Sequence, residues 1–586
     1  MSSGDKSAAR FAVERDDPRY KWVALSNTTL GVLMATINSS IVIISLPDIF
    51  RGIKLDPLRP GNVSYLLWML MGFLVVTAVL VVTLGRLGDI YGRVKIYNLG
   101  FTVFTIGSVA LVFDPLTQGS GAMWLILWRL VQGVGAAMLF ANSTAILTDA
   151  FPADRRGFAL GINQVAAIGG SFIGLIVGGV LAPVDWRLVF FVSVPFGLLG
   201  TVWSYRSLRE TSTRTTARID WWGNGLFAVG LTAVLVAITY GIQPYGGHDM
   251  GWTSPWVLTG LGTGVALLVA FCVVEAHIKD PMFDMSLFRI QAFSAGNFAG
   301  LLSAISRGGL QFMLIIWLQG IWLPLHGYSF SSTPLWAGIY LLPLTIAFLI
   351  AGPLSGYFSD RIGARSLATG GLLVVALSFT GLMLLPTDFS YWAFAGLLVL
   401  NGIGSGLFSA PNTSAIMSSV PANRRGAASG MRGTFLNSGT SLSIGVFFTM
   451  MIAGLASTLP RTLTEGLQAH GVPQAVAAGI GNQPPVGSLF AAFLGYNPIG
   501  TALGSVPASA IKGADLGTLT SKEFFPQLIS GPFHHGLVIV FAVAIGMSLV
   551  GAAASLFRGP RYIHTEPDGS PLPEPAPLPA TAVREA

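Results

Sequence analysis

Gly85-Arg-Leu-Gly-Asp89-Ile-Tyr-Gly92-Arg93-Val-Lys95 and Gly356-Tyr-Phe-Ser-Asp360-Arg-Ile-Gly363-Ala-Arg365 are two copies of one pattern. Each has a glycine, an aspartate four residues on, a second glycine three beyond that, and basic residues around it. Each follows a long apolar run. Glycine permits a tight turn, an aspartate near a helix N-terminus holds that end by charge–dipole attraction, and nearby arginines can bridge to a neighbouring helix. A second echo supports the first: Pro152-Ala-Asp-Arg155-Arg156-Gly157 is repeated as Pro421-Ala-Asn-Arg424-Arg425-Gly426. Both pairs lie about 270 residues apart, as expected of a duplicated helical unit.

Around these loops the chain is 52% hydrophobic and 10% charged over 586 residues, with 72 glycines, and its mean hydropathy is +0.67. Apolar runs of about twenty residues, each enough to cross roughly 30 Å of hydrocarbon, recur throughout. Fourteen such runs are expected as helices, the last two near Gly426–Leu455 and Pro532–Phe557. The reading is an all-α polytopic membrane protein embedded in a lipid bilayer, with two six-helix halves and two inserted helices.

The net charge of +7 suggests nucleic acid until the cations are located. They concentrate in the termini and in the loops on the same side, including Arg86, Arg93, Arg209, Arg361 and Arg424. That bias puts both termini in the cytoplasm, with multiple passes through the cell (inner) membrane, and removes the nucleic-acid reading. The expected organisation is a tail at 1–21, a first half at 22–205, inserted helices and loops at 206–291, a second half at 292–557 with an outward loop at 456–531, and a Pro-rich tail at 558–586. The outward loop reads as a solvated connector with helical pieces, Phe490-Ala-Ala-Phe-Leu among them; a cap over an outward cavity is the alternative. Residues 566–586 read as a disordered end.

Cys272 is the lone cysteine, so no internal disulfide or zinc cluster is expected. No P-loop, nucleophile elbow or His/Cys/Glu cluster occurs, so neither an enzyme, a metal site nor a cofactor is anticipated.

The duplicated loops resemble those of the major facilitator superfamily, and the resemblance covers nearly the whole chain. Gly85, Asp89, Gly92 and Arg93, with Gly356, Asp360, Gly363 and Arg365, are similar to its signature loop, which implies conformational gating. Leu127-Trp-Arg129-Leu-Val-Gln132-Gly133-Val-Gly135 is similar to its second motif, whose arginine is implicated in proton coupling. Gly161, Gly170, Gly174, Gly178 and Gly179 have the spacing of its glycine-rich antiporter motif, which implies efflux. Ile219-Asp220-Trp-Trp-Gly223 and the two extra helices resemble the fourteen-spanner drug:proton antiporter branch. The resemblance implies a secondary active exporter of a small amphiphilic molecule, coupled to protons, with a monomer as the expected form. Two positions depart from the family pattern: Leu175 replaces the antiporter-motif proline, and Asn38 stands where an acid is expected. A facilitator or importer of a neutral or anionic metabolite, or a transporter of lipid-like molecules, is the nearest alternative.

Intramembrane polar residues complete the reading. An arginine at mid-bilayer costs about 2.5–3.5 kcal/mol on insertion scales, so it requires a partner or a wet cavity. Ser303, Arg307, Gln311, Gln319 and Trp322 fall on one helical side and could wall a cavity. Arg307 either contacts substrate or satisfies carbonyls between helices, and Arg432, near a helix end, is expected to snorkel. Asn38 and Asn437 are further cavity candidates among polar residues that could equally be helix–helix glue. None of the 26 acidic residues lies in the apolar middle of an expected helix. This leaves Asp48 and Asp149, at helix ends, and the pair His534-His535, beside Arg129 as coupling candidates.

Overall fold

The structure is a computed structural model. It describes residues 19–56, 61–152, 155–210, 220–278, 281, 283–421, 424–504, 506–507, 511 and 513–559. The side chains of residues 156, 157, 360, 425 and 426 and both expected tails, 1–18 and 560–586, lie outside the described residues.

Among the described residues, fourteen helices are long and apolar enough to cross a membrane. In chain order they begin with α1 (Tyr20–Gly52), α2 (Asn62–Tyr91), α3 (Arg93–Val112), α4 (Gln118–Ala150), α5 (Arg156–Leu181) and α6 (Leu188–Ser207). The inserted pair is α7 (Trp221–Gly241) and α8 (Pro255–His277). Then come α9 (Gln291–Leu325), α10 (Thr333–Ser359), α11 (Ala364–Leu384), α12 (Tyr391–Ser418) and α13 (Arg425–Ala469). Three short helices follow, α14 (Gln474–Gly481), α15 (Pro485–Leu494) and α16 (Pro498–Gly504), before α17 (Phe524–Leu556), the fourteenth span. Tyr20 at the start of α1 donates its hydroxyl to the Arg209 carbonyl beyond α6 at 2.9 Å. Gln291 at the start of α9 donates to the Phe557 carbonyl after α17 at 2.6 Å. Helix starts and returns therefore meet on one side, called here the terminal side.

Small residues set the helix crossings. A Cβ on Gly170 would stand 3.0 Å from the Leu33 carbonyl oxygen and one on Gly174 2.5 Å from that of Ile37, while one on Gly178 would meet Ile41 at 2.9 Å. One face of α5 therefore lies backbone to backbone on α1, the close crossing that small residues at four-residue spacing permit. Gly179 points elsewhere, toward the backbone of Leu335 at the start of α10, and thus across to the other half. Gly161 meets nothing within 4 Å, so packing does not require it.

The inserted helix α7 is anchored against both halves. Thr83 of α2 donates to Asn224 at 2.6 Å, and Ile238 fills the space over Gly445 of α13. Asp220 caps α7 by accepting the Gly223 N–H at 2.8 Å. α8 packs on α7 and is otherwise peripheral, with 17% of its apolar window buried.

The stretch expected as an outward solvated connector contains packed helices. α13 runs on to Ala469 and spans 45 residues, about 68 Å at 1.5 Å per residue and more than twice the hydrocarbon thickness. α17 begins at Phe524, before the expected Pro532. Between them α15 is buried throughout, with Phe490 and Phe493 each 1% exposed. It touches α1 and α2 from one half and α9, α13 and α17 from the other. Phe493 sits 6.0 Å from Phe312, and Phe490 stacks on Phe448 at 5.3 Å. The approach is close because α9 widens into a π-turn at Leu318–Trp322, where a Cβ on Gly320 would lie 3.1 Å from the Ala492 backbone. Its apolar residues find protein rather than water, which makes the segment a packed cap.

Candidate functional site

A cavity of about 600 Å³ lies between the halves. α1, α2, α4 and α5 line one side and α9, α10, α12 and α13 the other. It reaches the terminal side, where Arg86, Asp89, Arg93 and Asp149 form its rim. At the opposite end α5 seals against α10: a Cβ on Gly338 would stand 3.3 Å from the Leu175 backbone. The cap lies beyond that seal. The cavity is thus open toward the terminal side.

The rim is a charge network. Arg93 donates Nε to Asp89 at 2.8 Å and Nη1 to Asp149 at 2.7 Å, joining the ends of α2, α3 and α4. Asp89 lies in the last turn of α2, so the carboxylate at the N-terminus of α3 is supplied instead by Glu210. Its two oxygens accept the N–H groups of Arg93 and Val94, each at 3.1 Å. Gly92 turns with φ 114°, and a Cβ there would meet a Glu210 oxygen at 2.5 Å. Sequence reasoning missed Glu210, since nothing in a loop far along the chain signals that it folds back to this helix end.

The sequence-predicted residues separate into groups. Arg307, Gln311 and Asn437 line the cavity, as do Thr36, Ser39, Asn163 and Gln164. Asn38, Gln319 and Trp322 do not. Gln319 is 1% exposed in the π-turn. Trp322 donates to the Phe389 carbonyl at 3.2 Å and stacks on His326, which occupies it structurally. The polar stripe expected along α9 stops where the cavity does: Leu314 is the last α9 residue that lines it, and Gln319 and Trp322 lie farther along the helix, in the π-turn. Asp48 ion-pairs with Arg51 at 3.0 Å at the far end of α1, away from the cavity. Asp149 is at the rim, and Gly85 faces Ala141 at 3.5 Å beside it.

Arg129 is buried behind the wall. It donates to Asn38 Oδ1 and to Gln132 Oε1, the latter at 3.3 Å, and its guanidinium lies 4.6 Å from the Phe73 ring centroid. Asn38 in turn donates to Ser193 at 3.1 Å and Gln132 to Ser108 at 2.8 Å. This chain of neutral acceptors replaces the carboxylate expected at position 38. Arg432, expected to snorkel, instead lines the cavity and donates to Thr413 at 2.7 Å. The apolar wall comes from both halves, through Phe73, Phe140, Ile168 and Phe172 of the first and Leu310, Leu344 and Phe348 of the second. No group of three or more potential metal ligands occurs among the described residues.

Fourteen candidate spans, a between-halves cavity and a duplicated glycine–aspartate loop fit a membrane transporter. The chain belongs to the Major Facilitator Superfamily, whose profile matches residues 28–313 and 285–444. It is similar to the tetracenomycin C resistance and export protein of Streptomyces glaucescens, 28% identical over 563 residues covering 96% of this chain and 95% of that one. It is also 28% identical to the multidrug resistance protein Stp of Mycobacterium tuberculosis, over 96% of each chain. The riboflavin transporter RibZ of Clostridioides difficile is 26% identical over 75% of this chain and 90% of its own. Among solved structures, a bacterial homolog of the human lysosomal transporter Spinster covers 93% of this chain and 99% of its own, with a TM-score of 0.53 and 17% identity. That last likeness concerns the fold alone.

Proposed function

We propose that the protein is a secondary active exporter of small amphiphilic molecules, driven by a proton gradient and working by alternating access as a monomer in the cell membrane, with both termini cytoplasmic. The observation that carries the reading is the cavity lined by both halves, open at the terminal side and sealed at the other by α5 against α10. Rocking one half against the other would open that seal and close the rim around a fixed site. The export and resistance functions named for the relatives support the direction. In this scheme residues 22–205 and 292–557 are the moving halves and 206–291 is a bridge between them. Asp89 and Arg93 act as the gating latch, with Gly356, Gly363 and Arg365 as its second copy, and Asp149 is the rim carboxylate closest to a coupling role. Arg129 and Asp48 remain coupling candidates away from the cavity.

Uptake into inverted membrane vesicles under an imposed pH gradient tests direction and energy source together. Export predicts accumulation of an amphiphilic probe that collapses on addition of a protonophore. Accumulation only in right-side-out vesicles would replace export by import.

A further inference from the structure

The inner part of the cavity is positively charged, and its charge belongs to the second half. Four arginines and two aspartates line the cavity. Asp89, Asp149, Arg86 and Arg93 sit at the rim, and both aspartates are held by Arg93. Deeper in, the ionised groups are Arg307 on α9 and Arg432 on α13, which line one recess. Among the described residues neither has a carboxylate partner. Arg432 is held by the Thr413 hydroxyl, and Arg307 has no hydrogen-bond partner among those residues.

A side pocket opens at the same point. It is lined by Ser303 one turn before Arg307, by Ser405 and Ser409 one turn apart on α12, and by both arginines. Two guanidiniums with three hydroxyls make a donor-rich recess, and like charges held together without acid are stabilised by an anion between them. The first half adds Phe73, Phe140 and Phe172 to the cavity, and Phe348 of α10 lines both cavity and recess. The cavity therefore offers charge-assisted donors beside aromatic surface.

We propose that Arg307 and Arg432, with Ser303, Ser405 and Ser409, form an anion subsite that receives the carboxylate, sulfonate or phosphate head of an amphiphile whose apolar body lies on that aromatic surface. This rests on the transporter reading and narrows its substrate class. A soluble aromatic acid and the head of an anionic lipid present the same chemistry to this recess. Lipophilic cations are disfavoured because the inner cavity has no carboxylate among the described residues to receive them.

The test is equilibrium binding to the full-length purified protein in phosphatidylcholine nanodiscs, using two fluorescent probes that share a ring system. 1-Anilinonaphthalene-8-sulfonate carries a sulfonate, and N-phenyl-1-naphthylamine does not. The sulfonate is expected to bind about tenfold more tightly than the neutral amine, and Arg307→Gln or Arg432→Gln to erase about that factor. Amine binding should stay unchanged in both variants, which reports that the fold is intact, and Arg307→Lys should restore part of the sulfonate preference. Equal affinity of the two probes in the wild type, or a preference that survives both Gln substitutions, would overturn the proposal. Replacing the lipid by phosphatidylglycerol separates the two sources: loss of sulfonate binding assigns the recess to lipid heads, and retention assigns it to soluble acids. Because binding is read without a gradient, failure of this subsite is distinct from failure of export, which vesicle transport reads.

Discussion

At the end of α2 the chain turns at Gly92 with φ 114°, and at the end of α10 it turns at Gly363 with φ 93°. The glycines before these turns match too: Gly85 faces Ala141 at 3.5 Å and Gly356 faces Ala410 at 3.7 Å. The electrostatics diverge. In the first half Arg93 gathers Asp89 and Asp149, and Glu210 folds over the turn. In the second half Arg365 is exposed, Arg361 stacks on the Tyr357 ring at 4.8 Å, and nothing lies within 4 Å of where a Gly363 Cβ would be. Duplication preserved the turn, whereas the ion pairs depend on what each copy packs against. Intramembrane charge is divided in the opposite sense: the first half's Arg129 is enclosed and bonded, and the second half's arginines face the cavity. The first half carries the Arg93 ion-pair network at the rim, and the second half the arginines that face the inner cavity.

The largest effect that would break this comparison concerns packing within each half. In α5 the approach to α1 is limited by backbone, so Gly174→Leu must push two helices apart, and overpacking without a side chain to yield is severely destabilising. Gly430 in α13 meets nothing within 4 Å. Gly174→Leu is expected to abolish monodisperse protein on size exclusion, and Gly430→Ala to leave the melting temperature unchanged. A well-folded Gly174→Leu variant would show that the close crossing is not required.

Next in size is the latch. Arg93→Gln and Asp89→Asn should each reduce turnover about tenfold, as loss of a partly buried ion pair in one conformation shifts the balance between states. Probe binding should be unchanged, because these residues lie at the rim. Arg365→Gln should alter turnover less than about twofold, since its side chain is already solvated. Equal effects of Arg93→Gln and Arg365→Gln on initial transport rates would erase the asymmetry between the loops.

The fold class and the fourteen candidate spans were legible in the sequence because span length and duplication are one-dimensional signals. Gly170, Gly174 and Gly178 form the close crossing that their four-residue spacing permits. Leu175, at the antiporter-motif proline position, is absorbed within an unbroken α5 whose backbone faces Gly338. What could not be read depends on three-dimensional return. Gln319 and Trp322 lie farther along α9 than Leu314, the last of its residues on the cavity, and no residue type announces where a cavity ends. Arg432 was expected to reach a membrane surface, yet α13 passes the cavity at that point. The side chain of Asp360 lies outside the described residues, so that position of the second loop stays a sequence expectation.

The cap supplies a smaller test. Phe493 is buried against Phe312 of α9 while its helix also touches α1 and α2, so it holds the outer ends of both halves in this state. Phe493→Ala removes a large buried side chain, a change of about 3–5 kcal/mol in soluble cores. Here it should lower the melting temperature by several degrees while gradient-driven transport persists, because the cap has no lining residue in the cavity. Complete loss of gradient-driven flux from a folded, inserted Phe493→Ala protein would give the cap a part in coupling.

The smallest effect sharpens the comparison at the outer turns. Asp114 follows α3 in the first half and is 3% exposed; its Oδ1 accepts the Leu116 N–H at 2.9 Å. In the second half Asp388 follows α11, and its side chain is 86% exposed beside His326. Burial pushes the Asp114 carboxyl above its ordinary value, against the opposing effects of the Leu116 N–H and Arg187. A raised carboxyl holds its proton more tightly folded than unfolded, so its contribution to stability is present at low pH and is lost as pH rises through the raised range. Asn at this position keeps the acceptor for Leu116 and carries no charge to desolvate. Asp114→Asn should therefore raise the melting temperature at pH 7 by on the order of 1 °C. That gain should vanish as pH falls below the ordinary carboxylate range, where the wild-type side chain is protonated in both states. Asp388→Asn, already in water, should show no such pH-dependent gain. Thermal melts of the three proteins between pH 4 and 8, in about the same buffer ionic strength, read the difference. A gain for Asp114→Asn that is constant with pH would mean that shape, not charge, limits the first-half turn.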